Sequence, residues 1–226
     1  MARPSTIAID GPAGTGKSTI SQLIADRYGY IFVDTGAFYR AVTYILLKTE
    51  TPLDDMVAVG AVVKNIHMKI LPDEGSGYRV KANDEDVTEE LRSKVVEASV
   101  STVAMMPIVR EALLPLQREV AAQGDIILAG RDIGTVVVPD ADLKFYIDAS
   151  LEERARRRQL QMEEAGKPVD ARVVEAALAE RDRADSERSL APLQRAGDAI
   201  YLMTDRKSID MVIDEVSQII ENWKAS

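Results

Sequence analysis

The chain has 226 residues, of which 46 % are hydrophobic, enough for one sizeable α/β domain with a buried core and an insert. Its formal net charge of -9 disfavours general nucleic-acid binding, because affinity for a phosphate backbone needs a basic surface. The absence of cysteine and the single histidine, His67, exclude a disulfide framework, a thiolate or multi-histidine metal site, a cysteine nucleophile and a Ser-His-Asp triad.

The N-terminal residues predict no targeting segment. Residues 1–4 lead directly into an apolar strand pattern, without a charged and then apolar leader. No apolar run approaches the roughly 20 residues that a transmembrane helix needs. We therefore expect a soluble, cytoplasmic protein without a membrane partner. We also expect a monomer that does not bind nucleic acid.

Short apolar strands alternate with helical patterns along most of the chain. This alternation predicts a mostly parallel sheet with helices on both faces. The predicted strands cover residues 6–10, 30–33, 125–129, 143–147 and 199–203. The predicted helices cover residues 17–28, a segment around 39–46, and residues 54–63, 93–105, 107–123, 151–166, 170–190 and 208–223.

The pattern changes between residues 65 and 92. Residues 66–71 and 78–83 alternate loosely between apolar and polar side chains, and a turn cluster at 72–77 separates them. This arrangement predicts a β-hairpin inserted into the α/β framework. We expect His67, which lies in this insert, to be structural.

A glycine-rich loop follows the first strand and fits the pattern G-x-x-x-x-G-K-[ST] at residues 11–18, with a helix after it. Its glycines let several backbone N–H groups point at one anion, and the helix N-terminus adds a favourable dipole. Lys17 would reach the β- and γ-phosphates of a nucleoside triphosphate, and the Ser18 hydroxyl would coordinate its Mg²⁺. The candidate triphosphate-binding residues are Gly11, Pro12, Ala13, Gly14, Thr15, Gly16, Lys17, Ser18 and Thr19.

The loop alone does not distinguish among switch GTPases, motor ATPases and small-molecule kinases, which share it. The Asn-Lys-x-Asp motif that guanine-specific GTPases use to read their base is absent from the sequence. The chain is also short for an ATP-driven machine.

Polar residues follow the strands at the edge where a ligand binds in a doubly wound sheet. Asp34-Thr35-Gly36 follows the second predicted strand, Gly130-Arg131-Asp132 the third and Asp148 the fourth. These groups suit an anionic, hydroxyl-rich ligand.

Arginines are concentrated on the two charged helices that follow. Arg154 and Arg158 share one helix face, and Arg181, Asp185 and Arg188 share another. A guanidinium binds a phosphate well, but arginine-rich helices are often solvated surfaces, and the pattern alone leaves both interpretations open.

Several of these motifs together resemble those of bacterial cytidylate kinases (CMP kinases), over essentially the whole chain. The matching pieces are I-D-G-P-A-G-T-G-K-S-T at 9–19, D-T-G-A-F-Y-R at 34–40, P-I-V-R-E-A-L at 107–113, A-G-R-D-I-G-T-V-V at 129–137, and E-R-D…D…R-S…A-P-L at 180–193. Two small departures occur: Thr35 stands where the family often has Ser, and Leu91 where Ile is commoner.

The resemblance implies an adenylate-kinase-like P-loop fold, an α/β architecture with a five-stranded parallel sheet flanked by helices, a small β-containing insert and a helical lid. It implies one kinase domain over residues 1–226, with a monophosphate-binding region at about 35–104, a β insert near 65–92 and a lid at 151–169. The implied reaction is transfer of a phosphoryl group from ATP, with Mg²⁺, to CMP or dCMP.

The resemblance also implies roles for individual residues. Ser101, Arg110 and Asp132 would read the cytosine, and Arg181 and Asp185 would hold the sugar. The acceptor phosphate would meet Arg40, Arg131 and Arg188, with Thr35 and Tyr39 lining the same site. The implied catalytic residues are Lys17, Arg131, Arg154, Arg158 and Arg188, of which Arg154 and Arg158 would close over the transferring group.

The residue types fit these roles, although the pattern leaves other interpretations open. A carboxylate such as Asp132 suits the exocyclic amino group of cytosine, while uracil offers a carbonyl there. From the pattern alone, Ser101 is better explained as an ordinary helix serine, and Arg110 is also explained as a surface ion pair. The remaining alternatives are a kinase of the same fold acting on UMP, AMP or shikimate, and a nucleotide switch without turnover.

Overall fold

The computed structural model describes residues 3–73, 77–164, 166 and 169–223. The chain divides into two compact units. We call Met1–Tyr30 with Asp125–Ser226 the core unit, and Ile31–Gly124 the inserted unit. The predicted monophosphate-binding region, 35–104, falls within the inserted unit, and the predicted lid, 151–169, within the core unit, where residues 165, 167 and 168 lie outside the described ones. The functional labels of these regions stay predictions.

The strands form a five-stranded sheet and a three-stranded sheet. The strands are β1 (Thr6–Asp10), β2 (Ile31–Asp34), β3 (Met68–Asp73), β4 (Gly77–Ala82), β5 (Glu85–Asp86), β6 (Ile126–Gly130), β7 (Leu143–Asp148) and β8 (Ile200–Met203). The larger sheet has the order β2-β6-β1-β7-β8, and β1 pairs in parallel with β6 and β7, as β7 does with β8. The five-stranded parallel sheet predicted from the sequence is therefore confirmed.

The centre of the core unit is β1, which pairs in parallel with β6 on one side and β7 on the other. Ile7, Ala8 and Ile9 are at most 1 % exposed. A strand that is covered on both faces needs apolar side chains at successive positions, which explains the continuous apolar run in the sequence. The phosphate loop therefore begins at the end of a deeply buried strand.

Helices of the core unit flank this sheet and match the predicted segments closely. They are α1 (Lys17–Tyr28), α6 (Leu151–Glu164), α7 (Ala171–Glu187) and α8 (Ile209–Glu221). The Asp170 and Ser208 side chains accept hydrogen bonds from backbone N–H groups of the first turns of α7 and α8, as N-caps do. The 170–190 prediction was too long, because the backbone at Arg188 is already extended.

The inserted unit contains four helices and the small antiparallel sheet. The helices are α2 (Gly36–Lys48), α3 (Met56–Val63), α4 (Lys94–Met105) and α5 (Pro107–Ala121). The predicted hairpin is confirmed as β3 and β4, with Ile70 opposite Val80, although residues 74–76 of its turn lie outside the described ones. The short β5 and a 3₁₀ turn at Glu90–Arg92 were not predicted.

Among the described residues, no single helix is both long and apolar enough to cross a membrane. The pair α4 and α5, bent by 95° relative to each other, meets the length and composition criteria only when the two helices are taken together.

Candidate functional site

The phosphate loop makes a tight turn against the neighbouring strand. Gly11 has φ 146°, and a Cβ atom there would lie 1.9 Å from the backbone oxygen of Ile147 in β7. No side chain can be accommodated at that distance, so this position requires glycine. Gly14 and Gly16 also have positive φ, 79° and 91°, and they complete the curl that leads into α1.

Lys17 lies inside this curl and is only 6 % exposed. Its Nζ donates to the backbone oxygen of Pro12 at 2.5 Å and to Thr15 Oγ1 at 3.3 Å. The next two residues, Ser18 and Thr19, are exposed in the first turn of α1. The loop thus presents a buried cation and a helix N-terminus together, the combination that binds phosphates.

Both backbone groups of Ala13, in the loop, are held by side chains of α6 and α7. Arg154 NH1 donates to the Ala13 oxygen at 3.0 Å, and the Ala13 N–H donates to Asp182 Oδ1 at 3.3 Å. Arg154 and Asp182 also form an ion pair with 2.5 Å between NH1 and Oδ2. Arg154, predicted as a lid arginine, is buried, whereas Arg158, one turn later, is exposed.

Arg157 contacts the loop at Thr15, and the sequence predicted no role for this arginine. Its NH1 reaches the Thr15 oxygen at 3.4 Å and Thr204 Oγ1 at 3.0 Å, while NH2 donates to the Thr204 oxygen at 2.7 Å. Its Nε donates to Glu153 Oε1 at 2.8 Å. Hydrogen bonds from Arg156 and Arg157 lower the pKa of Glu153 to about 2.

Asp10, the last residue of β1, is a buried carboxylate that the sequence reasoning also left without a role. Its Oδ1 and Oδ2 accept from the backbone N–H groups of Ile133 and Gly134 at 2.8 and 2.7 Å. Burial raises its pKa to about 6 against the lowering effect of these bonds, and the neighbouring charge of Asp132 raises it further while Lys17 lowers it. The only sequence signal was an acidic residue ending an apolar strand.

The segment after β6 brings four predicted residues of the core unit into one ionic cluster. Arg131 Nε donates to Asp185 Oδ2 at 2.8 Å, Arg188 NH1 lies 3.4 Å from Asp185 Oδ1, and Arg188 NH2 lies 3.4 Å from Asp132 Oδ1. The four side chains are between 6 and 19 % exposed. Arg188 Nε also donates to the Ala191 oxygen at 2.5 Å. Alternating charges in a largely buried cluster suit a ligand that carries both an anion and polar groups.

The remaining candidate of the core unit, Arg181, lies on α7 one turn before Asp185 and is exposed. The predicted face of Arg181, Asp185 and Arg188 is therefore present on α7 and at its end, with two of its members in the ionic cluster.

The inserted unit holds the other predicted residues. Thr35 and Tyr39 are 4 and 8 % exposed at the start of α2, and the guanidinium of Arg110 lies 5.2 Å from the centre of the Tyr39 ring. Arg110 is buried and its NH1 donates to the Ala104 oxygen at 3.2 Å, so the alternative of a surface ion pair does not apply to it. Ser101 is exposed on α4.

Arg40 of α2 is partly buried near Tyr78, a residue of the insert that the sequence reasoning missed. Burial raises the pKa of Tyr78, and the Asp34 carboxylate raises it further, while Arg40 and Arg92 lower it. The Tyr78 ring also meets Phe32 edge-on at 6.4 Å between ring centres. Tyr78 is therefore a further polar group of the inserted unit close to a predicted phosphate-binding arginine.

Ser18, the predicted Mg²⁺ ligand, lies in the first turn of α1. Within the described ranges, no group of three or more His, Cys, Asp or Glu could hold a metal ion. Mg²⁺ in phosphoryl-transfer sites takes few protein ligands besides phosphate oxygens and water, and an exposed Ser18 hydroxyl at the loop can serve as one.

Three features of the core unit together define a P-loop phosphotransferase. They are a buried parallel strand, a G-x-x-x-x-G-K-S loop that folds around its lysine, and a cluster of arginines and carboxylates. Residues 7–222 match the model of the family described as cytidylate kinase. The chain belongs to the cytidylate kinase family, and it is a nucleoside monophosphate kinase that takes its phosphoryl group from ATP.

Individual relatives agree with this membership. The chain is 46 % identical to a cytidylate kinase of Exiguobacterium sp. (strain ATCC BAA-1283 / AT1b) over 225 residues, covering 100 % of both chains. It is 44 % identical to a cytidylate kinase of Geobacillus sp. (strain WCH70), covering 95 % of each. A bifunctional pantoate ligase/cytidylate kinase of Parasynechococcus marenigrum (strain WH8102) is 46 % identical over this whole chain, which spans 44 % of that longer protein.

A solved structure supports the fold alone. An uncharacterized protein from Eubacterium ventriosum ATCC 27560 superimposes with a TM-score of 0.51 at 14 % identity, covering 97 % of this chain and 99 % of that one.

Proposed function

We propose that the protein phosphorylates CMP, and also dCMP, with Mg·ATP, yielding CDP or dCDP and ADP. The observation that carries this proposal is the ionic cluster of Arg131, Asp132, Asp185 and Arg188 in a chain of the cytidylate kinase family. It combines the charges that an acceptor phosphate and a cytosine amino group need.

The reaction is an in-line transfer. An oxygen of the CMP phosphate forms a bond to the γ-phosphorus of ATP, and the bond from that phosphorus to the β–γ bridging oxygen breaks, so that ADP leaves with the electron pair. No covalent bond to the enzyme is needed, because catalysis consists of positioning and charge neutralisation.

The donor is bound by the phosphate loop. The N–H groups of residues 14–18 and the Lys17 ammonium neutralise the β- and γ-phosphates. The Ser18 hydroxyl would hold Mg²⁺, which supplies further neutralisation of the phosphate charge when bound. Arg158, exposed on α6, is the candidate for closing over the transferring group and excluding water.

The acceptor roles follow from the resemblance and the contacts within each unit. In the core unit, Arg131 and Arg188 bind the acceptor phosphate, Asp132 accepts from the cytosine amino group, and Arg181 and Asp185 hold the sugar. For residues of the inserted unit, the resemblance gives Arg40 a role toward the phosphate, Arg110 and Ser101 roles toward the accepting edge of the base, and Thr35 and Tyr39 supporting roles.

An acceptor panel tests this assignment. ADP release from ATP and Mg²⁺ is measured with CMP, dCMP, UMP, AMP, shikimate and no acceptor. We expect CMP and dCMP to give the highest kcat/KM, since uracil would turn a carbonyl toward Asp132. A better substrate among the others would overturn the choice of acceptor, and no acceptor-dependent ADP release would favour a nucleotide switch. A cytoplasmic location and a monomeric state stay predictions of the sequence.

A further inference from the structure

The backbone of Ala13 in the phosphate loop is hydrogen-bonded by two charged side chains from two helices. Asp182 of α7 accepts from the Ala13 N–H, and Arg154 of α6 donates to the Ala13 oxygen. The same two side chains are joined by the 2.5 Å contact between Arg154 NH1 and Asp182 Oδ2. Arg154 Nε also donates to the backbone oxygen of Ala149, the residue directly after β7, at 2.9 Å. We name Ala13, Arg154 and Asp182 the loop clamp.

The loop clamp lies in a low-dielectric environment. Arg154 is 6 % exposed, and the Asp182 side chain is 20 % exposed. The methyl group of Ala13 belongs to an apolar cluster with Ala155, Val174 and Leu178 of the same two helices. Hydrogen bonds and ion pairs are stronger where water is excluded, and losing one partner there leaves a costly unsatisfied charge.

These contacts conflict with a role for Arg154 as an arginine that closes over the transferring phosphoryl group. Such a movement would give up its bonds to Ala149, to Ala13 and to the Asp182 carboxylate. The Asp182 carboxylate, which is only partly exposed, would then remain without its counter-charge. Arg158, one turn further along α6, is exposed and would not have to break these contacts in order to move.

We propose that Arg154 and Asp182 are positioning residues, which fix the Ala13 peptide and thereby orient the following N–H groups of the phosphate loop for the donor nucleotide. The inference deepens the proposed function, on which it rests for the identity of the donor. Phosphate binding by backbone N–H groups depends on their common orientation, and a loop of small residues and three positive-φ glycines does not hold that orientation by itself. The side chains of Arg154 and Asp182 stabilise this orientation of the loop through their hydrogen bonds to Ala13.

The test is a double-mutant cycle of Arg154→Met and Asp182→Asn, read by ADP binding in a calorimeter and by the KM for ATP and for CMP. Asn at 182 keeps an oxygen for the Ala13 N–H but loses the ion pair. We expect each single variant to weaken ADP binding about tenfold and to raise the KM for ATP similarly, while the KM for CMP changes less than twofold. Because both residues act through one contact, the double variant is expected to bind ADP no more weakly than Arg154→Met alone.

Matched controls are Arg156→Met and Arg183→Met, which remove exposed arginines of the same two helices, paired with Glu153 and Glu180. Both are expected to bind ADP as the unchanged protein does. Urea unfolding of every variant monitors the fold. If Arg154→Met does not fold, Arg154→Lys replaces it in the cycle, since a lysine retains a cation for Asp182 but cannot hold two backbone oxygens and a carboxylate together.

Two results would overturn the proposal. One is a fall in kcat of a hundredfold or more for Arg154→Met with normal ADP binding and no effect of Asp182→Asn, which would return Arg154 to the transferring phosphoryl group. The other is a loss of unfolding free energy in both variants with unchanged ADP binding, which would make the clamp purely structural. ADP binding needs no acceptor, so the test of the loop clamp remains valid even if CMP proves not to be the substrate.

Discussion

The carboxylate of Asp10 binds the backbone of Gly134, 124 residues away, with 2.7 Å between Gly134 N and Oδ2. The neighbouring N–H of Ile133 donates to the other oxygen. Asp10 immediately precedes the phosphate loop, and Ile133 immediately follows Asp132. One buried carboxylate therefore ties the strand that carries the donor loop to the segment that carries Arg131 and Asp132.

This buried carboxylate makes the stability of the protein depend on pH in an unusual direction for an aspartate. Burial raises the pKa of Asp10 from 3.8 to about 6, so the folded protein keeps a proton that the unfolded chain has released in this interval. The stabilisation from this group is complete below pH 4 and is lost as the pH rises through about 6. We expect the free energy of unfolding of the unchanged protein, relative to Asp10→Asn, to be on the order of 1 kcal/mol larger at pH 5 than at pH 7.5.

Urea unfolding of the two proteins at both pH values measures this difference. Asp132 and Lys17, whose charges act on Asp10, are present in both proteins. A difference between the proteins that does not vary with pH would contradict the raised pKa.

The close approach of Gly11 to β7 predicts a severe effect of a single methyl group. Gly11→Ala would bring its Cβ to 1.9 Å from the Ile147 oxygen, and a backbone atom cannot move aside as a side-chain end can. We expect a loss of more than about 3 kcal/mol in the free energy of unfolding. Gly29→Ala is the matched control, since Gly29 also has positive φ, 71°, but nothing lies within 4 Å of its added Cβ. It should cost only about 1–2 kcal/mol, and equal losses for the two variants would refute the steric argument.

Removal of the buried cation of the loop should affect turnover far more than folding. Lys17→Ala takes away the Nζ that donates to Pro12 and Thr15 and that neutralises the phosphates in the proposed mechanism. We expect kcat to fall roughly 10²- to 10³-fold, as for other groups that stabilise transition-state charge. Steady-state ADP release measures it, with Lys64→Ala, an exposed lysine, as control. Near-normal turnover of Lys17→Ala would mean that the loop does not bind the donor.

The arginine that lies against Tyr39 should determine affinity for the acceptor rather than for the donor. Arg110→Met removes a buried guanidinium from the inserted unit while retaining apolar volume beside the ring. We expect the KM for CMP to rise roughly 10- to 100-fold, because the variant lacks a hydrogen-bonding group for the base. The KM for ATP should stay unchanged. Arg118→Met, an exposed arginine of the same helix, is the control. An equal rise for both substrates would count against base recognition by Arg110.

The sequence predicted the elements well because most of their signals are local. The apolar run of β1, the glycines of the loop and the alternation in β3 and β4 each lie within a few residues, and all three features are confirmed. The end of α7 was misplaced by three residues, from 190 to 187. The backbone leaves the helix at Arg188, whose side chain bonds Asp185, Asp132 and Ala191, contacts that no helical periodicity contains.

The candidate site was predicted unevenly for the same reason. Arg131, Asp132, Asp185 and Arg188 were found through motifs and do form one cluster, although the two segments are separated by more than 50 residues. The roles of Asp10, Asp182 and Tyr78 were not predicted. No local sequence pattern indicates that an acidic residue or a tyrosine will pack beside a phosphate loop or an arginine.

By itself, the sequence determined the family, the position of the phosphate loop and the identity of the charged residues near the strand ends. These depend on short runs of residue types whose chemistry is the same wherever they fold. Only the tertiary structure decided which of those charges are buried and what they hold. It showed that Arg154 donates a hydrogen bond to the backbone oxygen of Ala13, 141 residues away, and that burial raises the pKa of Asp10. Burial and ion pairing depend on how distant segments pack, and local periodicity carries no information about that packing.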